Sequence, residues 1–370
     1  MDSPDLALIA TEVAWLAFAL GAVFGAVARR SHFCTMGAVA DIVTSGDWDR
    51  MRLWLLAIAI AIAGTNLLAY FGIIDLSKSI YTAAKLTWLS NLTGGALFGF
   101  GMVLASGCGR KTLLRIGGGN LKSLVVFIVL GLSAFMTLKG VLAVPRVYAL
   151  EQIAVTLPTT QDLPSIAAAW LGHKLALQLL IAAGACALIL WFVFASASFR
   201  TADNVFAGIV IGAVIVAAWF VSGRLGYVAE DPNTLQEAFV ATNSGKMESF
   251  SFVAPLAYTL DLLMMWTDKS KAVSFGIAAT LGMVAGSALY ALLSRSFRWE
   301  GFGGIEDTVN HLIGATLMGF GGVVALGCTI GQGLSGVSTL SLGSLLTFAA
   351  IISGALAAFK YQAWRLERAV

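Results

Sequence analysis

The chain has 370 residues, of which 58% are hydrophobic and 12% charged, and its formal net charge is +3. Ordinary soluble domains carry about 25% charged residues, so a water-soluble enzyme of this length is excluded. Repeated charge-free stretches of about 20 residues match what a helix needs to cross about 30 Å of hydrocarbon, which marks a polytopic membrane protein.

The chain opens with Asp2 and Asp5 rather than a basic segment, and no small-residue cleavage site follows the first apolar run. No removed signal peptide is expected. Nine full-length spans are predicted in order, near 7–28, 51–74, 88–105, 120–143, 170–195, 203–222, 271–293, 311–327 and 341–361. Between them lie four apolar pieces too short to cross, at about 33–45, 107–118, 250–266 and 328–339. Segments of that length are read as re-entrant. Non-helical backbone at membrane depth must be buried in protein or line a polar cavity, so the short pieces mark where a path runs. The loops 144–169, with three prolines, and 223–249, which is polar, are expected to cap the outer face.

The chain also echoes itself. Phe-Gly-Met-Val-Leu-Ala-Ser-Gly-Cys at 100–108 and Phe-Gly-Gly-Val-Val-Ala-Leu-Gly-Cys at 320–328 are 220 residues apart, and Gly94, Gly99 and Gly101 fall on Gly314, Gly319 and Gly321 at the same offset. A fainter echo relates Gly21-x-Val23-x-Gly25 before Arg30-Ser31 to Gly282-x-Val284-x-Gly286 before Arg295-Ser296. If each short piece returns to the face it came from, 14 of the 23 Lys and Arg residues fall on one side, Arg29, Arg30, Arg50, Arg52, Arg110 and Lys111 among them. By the positive-inside bias that side is cytoplasmic, the C-terminus is inside and the N-terminus outside. The spans before Cys108 and Cys328 then run in opposite directions, so the repeat is inverted. The expected architecture is all-α: one transmembrane domain over 1–370, built from pseudo-repeats of about 1–143 and about 250–370 joined by 144–249. Glycine pairs at four-residue spacing, Gly21/Gly25, Gly95/Gly99, Gly208/Gly212 and Gly282/Gly286, read as close helix–helix contacts in lipid.

Weak internal repeats with glycine-broken apolar segments point to a transporter's substrate site. Cys34, Cys108 and Cys328 each open one of the short glycine-flanked pieces, whereas Cys186 is mid-span and reads as a small hydrophobe. Glycine beside a cysteine lets the thiol and backbone N–H groups face one cavity, and a helix starting there adds about half a positive charge. That combination of soft sulfur and donors suits an anion that itself carries sulfur. Gly107, Gly109, Gly327, Thr329 and Gln332 are expected to line the same path. No CxxC or His-x3–5-His spacing exists, so no metal is expected. A disulfide between Cys108 and Cys328 is not expected, because their pieces enter from opposite faces and could meet only at the midplane. His32 reads as interfacial, with tuning of the Cys34 thiol as the alternative.

Phe33-Cys34, Ser106-Gly107-Cys108-Gly109 followed by Gly119-Asn120-Leu121-Lys122-Ser123-Leu124, and Leu326-Gly327-Cys328-Thr329-Ile330-Gly331-Gln332-Gly333-Leu334-Ser335-Gly336 resemble the YeeE/YedE family of bacterial inner-membrane proteins. The similarity covers nearly the whole chain. It implies a thiosulfate-uptake permease with inverted repeats and short re-entrant helices, in which Cys34, Cys108 and Cys328 are the functional residues. It also implies a separate sulfur-carrier protein of the TusA type as a possible cytoplasmic partner, and no cofactor or nucleic acid is expected. The anion is expected to pass from Cys328 outside to Cys108 and then Cys34 inside. Two other classes compete. One is a membrane sulfurtransferase holding a cysteine persulfide, for which Arg110 and Lys111 are the only charged neighbours of Cys108. The other is an ion-coupled transporter, for which Glu12 and Asp261 are the carboxylates near membrane depth.

Overall fold

Lipid cannot hydrogen-bond to peptide groups, so an apolar chain of this kind satisfies its backbone within helices. A computed structural model describes residues 6–232, 234–268 and 271–368; Asp2 and Asp5 lie outside them. The elements in order are α1 (Leu6–Arg30), α2 (Thr35–Ser45), α3 (Asp49–Tyr70), α4 (Trp88–Leu104), α5 (Gly109–Gly117), α6 (Leu121–Leu138) and the single turn α7 (Ala143–Pro145). They continue with α8 (Leu163–Leu171), α9 (Lys174–Phe194), α10 (Ala202–Phe220), α11 (Ala254–Met264), α12 (Phe275–Leu293), α13 (Ile305–Val324), a π-type segment Gly331–Gly336 and α14 (Leu342–Glu367).

Among the described residues, eight helical stretches are long and apolar enough to cross a membrane. The ninth expected span is the apolar part of α13, a 20-residue helix whose first turn carries Glu306 and Asp307. All four short pieces appear where expected, as α2, α5, α11 and the segment around Gly331–Gly336. The span expected at 170–195 is shorter than predicted. Gly172 and His173 both take positive φ, 68° and 53°, which ends α8 and starts α9 at Lys174. The two loops are also partly ordered: β1 (Lys85–Leu86) pairs with β2 (Val155–Thr156), and β3 (Tyr227–Val228) with β4 (Ala238–Phe239), both antiparallel.

The glycines are where helices meet. A Cβ on Gly94 would lie 2.7 Å from the Gly321 carbonyl, and one on Gly101 2.6 Å from that of Gly314, so α4 and α13 cross antiparallel with backbones touching. These are the helices of the stronger echo. In contrast, Gly21 and Gly25 abut Ala279 and Met283, while Gly282 and Gly286 abut Phe18 and Ala22. Residue numbers rise together along this pair, so α1 and α12 run parallel. The fainter echo therefore does not relate an inverted pair; glycines four apart report close approach whatever the direction. Gly95 and Gly99 meet α14 near Ala350 and Ile351, and Gly208 and Gly212 meet α3 at Leu56 and Ile60.

Candidate functional site: three cysteines at broken helices

α4 and α13 end identically. Gly107 N–H donates to the Met102 carbonyl (2.8 Å) and Ser106 N–H to that of Val103 (3.1 Å); 220 residues on, Gly327 donates to Gly322 (2.8 Å) and Leu326 to Val323 (3.0 Å). This is the Schellman ending, with the left-handed residue supplied by Ser106 (φ 54°) and Leu326 (φ 57°) rather than by glycine. The residue after each glycine is the cysteine. Cys108 takes the N-cap position of α5, and Cys34 that of α2, where its Sγ accepts from the Gly37 N–H at 3.4 Å.

The three cysteines are buried and free. Cys328 Sγ accepts hydrogen bonds from the backbone N–H groups of Phe252 (3.4 Å) and Gly331 (3.5 Å). Thr329 Oγ1 donates to Cys108 Sγ across 3.5 Å, so the short pieces of the two echoes meet inside the protein. Phe252 joins them: its N–H binds Cys328, and its carbonyl lies 3.0 Å from where a Cβ on Gly109 would be. A side chain at 109 would crowd this peptide.

Cys34 sits apart from that pair, in the wall of an open vestibule of about 470 Å³ that also presents Arg29, Arg30, His32, Arg50, Lys111 and Arg115. Lys111, in the same wall, packs against Gly107, the residue before Cys108. A second cavity of about 190 Å³ ends at Gly327, with Glu248, Ser249, Ser251 and Tyr258 in its wall. Burial pushes the Glu248 carboxyl up from its ordinary value, although Ser244 N–H donates to it at 3.0 Å. Gln332 is turned elsewhere: its Nε2 donates to the Ala325 carbonyl, holding the end of α13, and it borders a small separate cavity with Tyr81 and Asn91. Gly107 packs on the Lys111 side chain.

The other sequence candidates lie off this line. Cys186 donates to the Ala59 carbonyl at 3.3 Å, between α9 and α3. Glu12 is exposed on α1, and Asp261 is paired with Lys271 at 2.5 Å. His311 Nδ1 contacts the Asp307 carbonyl at 2.7 Å. Sequence reasoning did not single out Phe252 or Trp54, which stacks on Phe33 with centroids 4.4 Å apart. The Ser-Phe-Ser-Phe run at 249–252, just ahead of the third short piece, was the available signal for the first.

Residues 30–357 match the family described as sulphur transport. The chain belongs to the sulphur transport family. Its similarity to YeeE/YedE proteins is thereby borne out. The chain is 27% identical over 335 residues to the thiosulfate transporter TsuA of Escherichia coli (strain K12), covering 85% of this chain and 84% of that one. It is 25% identical over 356 residues to the thiosulfate transporter TsuA of Spirochaeta thermophila, covering 92% and 96% respectively. Family and relatives alike are named for transport, not for an enzymatic reaction.

Proposed function

We propose that this chain is an inner-membrane permease that admits thiosulfate past Cys328, Cys108 and Cys34 in that order. The observation that carries the reading is the meeting of two cysteine-headed half-helices from opposite ends of the chain, Thr329 on Cys108 at 3.5 Å, between two cavities, in a relative of named thiosulfate transporters. Because Cys328 Sγ already accepts two backbone N–H groups, its own S–H is free to donate to a ligand's terminal sulfur. Such bonds are weak, and conduction needs sites that release as readily as they bind. Sulfate has no soft atom to place there. The basic vestibule at Cys34 is then the cytoplasmic exit, the face at which a separate TusA-like carrier would dock.

The repeat division that fits this reading is Leu6–Leu138 and Ala202–Glu367, in place of about 1–143 and about 250–370. It is supported by matched contacts: α1 packs on α12 as α10 does on α3, α4 on α14 as α13 does on α6, and α11 on α6 as α2 does on α14.

A protein retaining only Cys328 tests the outer end of the path. A small methanethiosulfonate reagent added from outside should label it, and thiosulfate but not sulfate should slow the labelling. Equal protection by both anions would point to a purely electrostatic vestibule and remove the sulfur contact.

A further inference from the structure

Arg110 is the second residue of the nine-residue helix α5, two positions after Cys108, and its side chain is fully buried. Its Nε, Nη1 and Nη2 have no hydrogen-bond partner among the described residues. Three arginines of the vestibule do have acceptors: Arg29 donates to the Leu114 carbonyl, Arg30 pairs with Asp203 and Arg50 with Asp41. A guanidinium stays charged at any accessible pH and presents five donors, and burying it without an acceptor is among the costliest arrangements a fold can hold. It lies over the face of Phe33, with Cζ 5.0 Å from the ring centroid, and Phe33 is itself backed by Trp54. A ring face compensates the cation's charge in part. It accepts none of the in-plane N–H bonds.

The echo sharpens the point. At the offset of 220 residues, Arg110 corresponds to Ile330 and Lys111 to Gly331, so the piece headed by Cys328 has no cation where the piece headed by Cys108 has two. Packing alone therefore does not demand an arginine at this position of the motif. We infer that the Arg110 guanidinium is the binding group for the oxygen end of a small tetrahedral oxyanion held beside Cys108, with Thr329 and Cys108 on its other side. Planar donors in a fork match two oxygens of one anion, as in carboxylate and phosphate pairs. Resting on the thiosulfate reading above, this fixes the ligand's direction: sulfonate oxygens on Arg110, terminal sulfur toward the Cys108 thiol. It also makes the two halves unequal, since an anion leaving the uncharged Cys328 piece gains a cation at the Cys108 piece and meets Lys111 next.

The test uses the full purified chain in detergent, with thermal unfolding followed against added thiosulfate or sulfate, for wild type, Arg110→Lys, Arg110→Gln and Arg110→Met. The thiosulfate concentration for half-maximal stabilisation should rise at least tenfold in Arg110→Gln and Arg110→Met and by a smaller factor in Arg110→Lys. Without anion, Arg110→Met should unfold at the same or a higher temperature than wild type, because an unpartnered buried charge has been removed. A purely structural arginine would give the reverse: Arg110→Met unfolding earlier, with half-saturation within twofold of wild type, which overturns the inference. If wild type responds to sulfate but not thiosulfate, and Arg110→Gln removes that response, the anion site stands and the thiosulfate reading falls. No response of wild type to either anion overturns both.

Discussion

Ser106 and Leu326 hold left-handed conformations that cost an ordinary residue roughly 1–2 kcal/mol relative to glycine. In each case glycine comes one residue later and cysteine directly after it. The strain is thus placed beside the thiols, where the helix must stop for the cysteine to head the next piece. That the cysteines head broken helices was legible from glycine flanks and segment length; that Thr329 reaches Cys108 was not, because a contact across 221 residues leaves no local pattern. In the proposed direction of transport, Glu248 stands in the wall of the entry cavity. Burial raises its carboxyl, so the fold favours the neutral form; its stabilising effect is full below the ordinary carboxyl range and is lost as pH rises through the raised value. Once ionised it also repels an entering dianion at the cavity that ends at Gly327. Thiosulfate uptake should therefore increase severalfold as external pH is lowered through that range, and Glu248→Gln should be fast and flat with pH. A pH profile unchanged by the substitution would remove Glu248 from the entry.

At the scale of elements, the parallel pair of α1 and α12 is held by backbone contact. A Cβ on Gly286 would lie 1.9 Å from the Ala22 carbonyl, whereas one on Gly184 in α9 meets nothing within 4 Å. Gly286→Ala should force the helices apart and cost about 1–3 kcal/mol, the range of overpacked cores. Gly184→Ala should be neutral or stabilising by up to about 1 kcal/mol, as expected for removing a helical glycine. Thermal unfolding in detergent compares them, and equal midpoints would contradict the packing. Glycine spacing made these contacts legible but not their direction: the same spacing serves the parallel pair α1/α12 and the antiparallel pair α4/α13. Composition likewise could not reveal the break at Gly172 and His173, since α8 and α9 are both apolar and only the backbone angles separate them.

Across the whole molecule, ion pairs gather the helix ends of one face: Arg30 with Asp203 (2.6 Å), Lys122 with Asp307 (2.8 Å) and Arg365 with Glu306 (2.9 Å). The ends of α1, α6, α13, α10 and α14 joined in this way are those that the basic-residue count assigns to the cytoplasm. A C-terminal fusion reporter should accordingly be active only in the cytoplasm, and activity confined to the periplasm would invert the proposed direction of transport. The eight long apolar stretches were readable because hydropathy and length act over whole segments. The relative placement of the two halves was not, because it depends on which glycine faces meet.

Uptake into liposomes containing only this protein, at fixed membrane potential, tests the central claim most directly, with thiosulfate labelled separately in its sulfane and sulfonate sulfurs. Both labels should enter together, sulfate and sulfite should enter poorly, and Cys108→Ala or Cys328→Ala should abolish entry while Cys186→Ala leaves it unchanged. Entry of the sulfane label alone, or full uptake by the Cys108→Ala, Cys328→Ala double variant, would contradict a permease that works through these thiols.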